Sequence, residues 1–118
     1  MKIIKGNDIQ AREVTNEPLF TGGKVLSTPL IGPETSKEIG VGVVTFSPGA
    51  RNVFHTHTTE QLLYVTAGKG IVATEKEEIV VTPGMLIHFP AGEKHWHGAT
   101  KDSSFTHITI APPHQTNF

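Results

Sequence analysis

Residues 49–68 read GARNVFHTHTTEQLLYVTAG. The stretch is rich in Val, Thr, Phe and Tyr, alternates too quickly for a helix, and is bounded by Gly49 and Gly68, so it predicts strands over residues 52–58 and 61–67. The Gly68-Lys69-Gly70 run that follows predicts a hairpin. Working outward, short Val-, Ile-, Thr- and Phe-rich segments recur at residues 24–30, 40–47, 70–74, 78–82, 85–89, 95–100 and 105–111. Turn residues divide them at Pro48-Gly49, Pro83-Gly84 and Ala91-Gly92. No amphipathic helix of about 10 residues or more stands out. Short, evenly punctuated strands without helices predict an all-β, antiparallel sandwich or barrel, a closure that also protects strand edges. Residues 1–23 are polar and read as an N-terminal arm with room for one short strand, ahead of a single domain over residues 24–118. Pro112-Pro113-His114 ends the last strand and predicts a short tail.

At 118 residues the chain has room for one core and no separate cofactor domain. Ten Lys+Arg against 11 Asp+Glu give a net charge of -1, which offers no electrostatic handle for nucleic acid or an anionic membrane. With no cysteine there is no disulfide, thiolate metal site or Cys nucleophile. The start, MKIIKGNDIQ, turns polar too soon for a secretory core, and no apolar run approaches the roughly 18 residues of a membrane span. A soluble, cytoplasmic protein is expected.

Histidine is the informative excess, with seven residues, four of them in the pairs His55/His57 and His95/His97. On an extended strand His55 and His57 point the same way and can grip one ion from one side. Gln61 has the same parity, and His95 arrives from a strand 38 residues past His57 to close the set. Three nitrogens and one oxygen leave positions open on a divalent ion for water or substrate. A lone H-x-H on a strand is, however, more often a half-buried polar pair than a pair of ligands.

The surroundings add weight to the metal reading. The first stretch, with Gly49, His55, His57, Gln61 and Gly68 in register, and a second, GMLIHFPAGEKHWHGA at residues 84–99, with Gly84, Pro90, Gly92 and His95 in register, resemble the two cupin motifs in order, 15 residues apart. Over residues 42–111 the chain looks like small bacterial single-domain cupins, among them manganese-dependent hydroxynitrile lyases and cupins associated with carboxymuconolactone decarboxylases. The resemblance implies a small double-stranded jelly-roll barrel holding Mn(II) or Fe(II), with Zn(II) and Ni(II) as alternatives, on His55, His57, Gln61 and His95. It implies a small oxygenated substrate, with C–C lyase, dioxygenase and isomerase chemistry all open. A non-catalytic sensor of a metabolite or metal, and a metal-free barrel, are the competing readings. Homodimers are common in the family and are expected here.

Two positions depart from the pattern. Gln61 replaces the usual glutamate, with Glu60 one residue early on the opposite face, and Ala99 stands at the usual asparagine. Three neutral imidazoles and a neutral amide leave the full +2 charge of a divalent ion uncancelled, which favours anionic ligands and loosens the metal. Many of the relatives also have Pro and Gly where this chain has Thr58 and Glu60.

Among the other histidines, His97 is expected behind the ligands or in the cavity wall, with a fourth imidazole ligand as the alternative. His107 is expected either as an acid or base near the metal or as a satisfied core residue. His88 and His114 are expected to be structural or exposed, and Trp96 to face away from His95. Phe46, Phe54, Phe89 and Phe105 are expected in the core. No G-x-S-x-G elbow is present, and the GKG run at residues 68–70 matches no phosphate-binding loop.

Overall fold

The computed structural model describes residues 1–118. Apart from one 3-10 turn at Gly6–Asp8, every regular element is a strand, and no helix is long and apolar enough to cross a membrane. The six-stranded sheet runs β1 (Arg12–Glu13), β3 (Val25–Ile31), β4 (Gly40–Phe46), β12 (Phe105–Ala111), β7 (Gln61–Gly68) and β10 (Leu86–Phe89). The five-stranded sheet runs β2 (Phe20–Thr21), β5 (Arg51–Asn52), β11 (His95–Ala99), β8 (Gly70–Thr74) and β9 (Glu78–Val81). A third pair joins β6 (Thr56–His57) to β13 (Thr116–Asn117). All pairings are antiparallel, in the jelly-roll manner.

The predicted hairpin at residues 68–70 is not one. β7 pairs with β12 and β10, whereas β8 pairs with β11 and β9, so the GKG corner carries the chain from one sheet to the other. Gly68 turns with φ of 76°, and a Cβ there would collide with the Ser104 carbonyl. Gly70 lies so close under Phe105 that a Cβ would meet its ring at 2.6 Å. The turns after β4, β9 and β10 switch sheets in the same way.

The core lies between the sheets. Phe46 and Phe105 are direct cross-strand partners with ring centroids 6.1 Å apart, packed with Val25, Leu63 and Val65, all fully buried. Phe89 belongs to this cluster, but the expected placement of Phe54 there is corrected: it is half-buried, with the Lys94 ammonium 5.6 Å from its ring centre. Trp96 does face away from His95 and lies under the Arg51 guanidinium, 3.7 Å from its ring centre. The first 23 residues contribute two short strands rather than one, one to each sheet, and bury Val14 in the core.

The expected strand over residues 52–58 is also broken. β5 stops at Asn52, His55 makes an isolated bridge to His95, and β6 pairs with the C-terminal β13. The tail after Pro112-Pro113 therefore returns to pair with β6.

Candidate metal centre

His55 and His95 exchange both backbone hydrogen bonds, each N–H donating to the other's carbonyl at 3.0 Å. Direct partners in such a bridge put their side chains on one face, and the two imidazole centroids are 4.4 Å apart. His57 joins from two residues along, 4.7 Å from His55 and 5.3 Å from His95. The three side chains offer ring nitrogens that all lie within 4.8 Å of one another, and all three residues are buried.

The tautomers are set locally. His55 Nδ1 donates to the Val53 carbonyl at 2.7 Å and His95 Nδ1 to the Glu93 carbonyl at 2.8 Å. Because a carbonyl only accepts, each ring carries its proton on Nδ1 and presents the Nε2 lone pair. His57 Nδ1 faces the Thr116 hydroxyl at 3.0 Å, and its Nε2 is buried without a partner. Gln61, 7% exposed, directs Oε1 to 3.3 Å from His95 Nε2. A lone pair facing a carbonyl oxygen at that distance is repulsive until a cation sits between them or the amide turns its NH2 to the ring. The donor set, three imidazole nitrogens and one amide oxygen with one nitrogen orphaned, thus fits a divalent ion of borderline softness.

Electrostatics agree with that fit. Burial lowers the pKa of His55 to about 4, its neighbours His95 and His114 pushing the same way. Burial, then His55, lowers that of His57 to about 3. His95 is lowered too, again by burial. All three are neutral at pH 7, the form a metal requires.

The other predicted histidines divide. His97 and His107 are 4% and 0% exposed, with centroids 4.9 Å apart. Each has an unpartnered buried nitrogen, Nδ1 of His97 and Nε2 of His107, while His107 Nδ1 faces the Thr109 hydroxyl at 3.1 Å. Burial lowers His107 to about 4 and His97 well below its usual value. His88 is exposed and paired with Glu60 at 2.7 Å, away from the cluster. His114, expected as structural or exposed, is exposed yet lies 4.5 Å from the His57 ring at the pocket mouth.

A cavity of about 390 Å³ opens onto His55, His57, Gln61, His97 and His107. Pro29, Ile31, Val41, Val44 and Phe46 make much of its wall, and no Asp, Glu, Lys or Arg lines it. His95 sits behind the wall, stacked on Phe89 at 3.9 Å. Two residues escaped the sequence reading. Asn52 Oδ1 accepts the His97 backbone N–H at 3.0 Å, and Thr116 holds His57. Asn52 stands three residues before His55 within the first motif, a signal that could have raised it; nothing in the sequence marks Thr116.

Residues 42–110 match the family described as the cupin domain. The chain is similar to an (R)-mandelonitrile lyase from Granulicella tundricola, 40% identical over 92 residues that cover 77% of this chain and 70% of the relative. Among solved structures it is similar to a cupin-like protein from Thermotoga maritima, with a TM-score of 0.79 and 28% identity over 98% of this chain and 87% of the other. It also shares its fold with the polyketide cyclase RemF of Streptomyces resistomycificus, with a TM-score of 0.83 and 24% identity over 100% and 86% of the two chains.

Proposed function

This chain belongs to the cupin family, and we propose that within it the chain is a metal-dependent lyase that cleaves a small, uncharged cyanohydrin-type substrate. One observation carries the reading: an uncharged pocket ends on the His55, His57 and Gln61 wall and is lined beyond it by His97 and His107, each with a buried, unpartnered ring nitrogen. His55, His57, Gln61 and His95 would hold the ion, Mn(II) or Fe(II) in the first instance. When bound, it supplies positive charge beside the substrate oxygen.

The chain's own residues supply the rest. The apolar wall excludes water and receives the organic part of the substrate. His107, neutral because it is buried, accepts the substrate hydroxyl proton at Nε2, with the Thr109 hydroxyl at its other nitrogen. As that proton leaves, the C–O bond becomes a carbonyl and the electron pair of the C–C bond departs with the nitrile carbon. The proton on His107 is then returned to the leaving cyanide, so a cyanohydrin gives an aldehyde and hydrogen cyanide. His97, whose backbone is pinned by Asn52, completes the polar end of the pocket.

Turnover of (R)-mandelonitrile, followed by benzaldehyde release with Mn(II), with Fe(II) and after chelation, tests this. Metal-dependent release is expected. Saturable binding without turnover would replace the lyase with a sensor, and oxygen consumption without cyanide release would replace it with a dioxygenase. The same reading includes a homodimer, formed through the outer face of the six-stranded sheet.

A further inference from the structure

His57 is positioned from the far end of the chain. Thr116 stands opposite His57 and Asn117 opposite Thr56 in the β6–β13 pair. Gln115 N–H donates to Thr58 Oγ1 at 2.9 Å, and Thr58 N–H donates to the Gln115 carbonyl at 3.1 Å. His114 packs on the His57 ring, its own Nδ1 donating to the Pro112 carbonyl at 2.8 Å. The cupin match stops at residue 110, so this strap lies beyond it.

The three imidazoles of the cluster differ in how they are held. His55 and His95 face backbone carbonyls, which enforce one tautomer, whereas His57 faces a hydroxyl, which can accept or donate. We propose that residues 112–117 form a clasp on the metal centre, in which Thr116 is the positioning residue that keeps the Nε2 lone pair of His57 turned toward the ion. The proposal rests on the metal reading above.

The hydroxyl accepts because of the other end of the ring. With the proton on Nε2, the buried donor would make no well-formed hydrogen bond, since the nearby Gln61 Oε1 is directed at His95, an outcome costlier than an unfilled lone pair. The proton therefore sits on Nδ1 and points at Thr116. Without the hydroxyl both nitrogens are orphaned alike, so the ring loses its preference and its orientation.

Nitrogen-15 imidazole shifts of the full metal-free chain, taken above about pH 7, report the tautomer, and calorimetric titration with Mn(II) reports affinity. Wild type and Thr116→Ser are expected to show His57 protonated on Nδ1. Thr116→Val keeps the branched shape that suits the strand and is expected to give a tautomer mixture and Mn(II) affinity lower by roughly 10- to 100-fold, restored in Thr116→Ser. Wild-type tautomer and affinity in Thr116→Val would overturn the proposal. So would an equal loss in Thr116→Ser, which would put the effect in strand pairing. If wild type bound no Mn(II) while the tautomer still followed the hydroxyl, the positioning role would stand and the metal reading would fall.

Discussion

His55, His57 and His95 sit in a cluster where burial has already removed the competition from protons, so each should act as a direct ligand. Replacing any of them by Ala should strip bound metal, whereas His88→Ala, at an exposed site paired only with Glu60, should not. Equal metal content in all four variants would contradict the assignment. Gln61 gives a sharper test, since Gln61→Glu keeps the shape and takes the site from +2 to +1. Metal affinity should rise, by roughly tenfold, while azide affinity for the loaded protein falls. No change in either would remove Gln61 from the ligands. Proton linkage gives a third expectation for the metal-free protein. The ordinary imidazole takes its proton near pH 6.5, but folded His55 and His107 wait until about 4 and His57 until about 3. Between those values the unfolded chain holds more protons, so stability is complete above the ordinary pKa and declines as pH falls from 6.5 toward 4. The melting temperature in chelator should drop across that window, less steeply in His107→Gln; a flat profile would show that these histidines are not depressed.

β11 links both histidine groups, carrying His95 to the ligands and His97 to the pocket floor. Its register against β5 is set at Gly98 opposite Arg51, where a Cβ would strike the Ala50 carbonyl and the Arg51 side chain. Gly98→Ala should therefore cost about 2 kcal/mol and lower the urea midpoint, with metal affinity falling as His95 shifts; an unchanged midpoint would mean the strands part easily. The elements also show what was legible in the sequence. β7 and β12 were readable as short runs of β-branched and aromatic residues bounded by turn residues, although their outward faces are apolar too and β11 is buried along its whole length, and the spacing of the two histidine motifs pointed to the cluster. The hairpin predicted at Gly68–Gly70 failed because a glycine turn has the same residues whether its strands pair or pass to opposite sheets. The break after Asn52 and the return of Thr116–Asn117 were invisible for another reason: two-residue strands carry no periodicity, and their partners lie across the chain.

On the scale of the whole molecule, the outer face of the six-stranded sheet is unusual for a surface that meets water. Cross-strand partners share a face, and the outward set Val43–Ile108–Tyr64–Leu86 continues beside Ile110 and Leu62 as far as His88, which is paired with Glu60. Tyr64 and Leu86 are 43% and 61% exposed, whereas an antiparallel sheet open to solvent is ordinarily polar there. A patch about four strands wide and five residues long spans roughly 320 Å², enough for the apolar centre of an interface that buries roughly 800 Å² per partner. Sedimentation at micromolar concentration should give about twice the 12.8 kDa chain mass, and Leu86→Lys should shift it toward monomer; a wild-type monomer would remove the dimer. The activity and the ligand tests depend on one property, that the His55, His57 and His95 cluster holds an ion. Elemental analysis of untagged protein, purified without added metal and again after incubation with Mn(II) or Fe(II), measures it directly. Occupancy of about one divalent ion per chain, lost in His95→Ala, is the predicted result; no retained metal under either condition, or retention unchanged in His95→Ala, would contradict it.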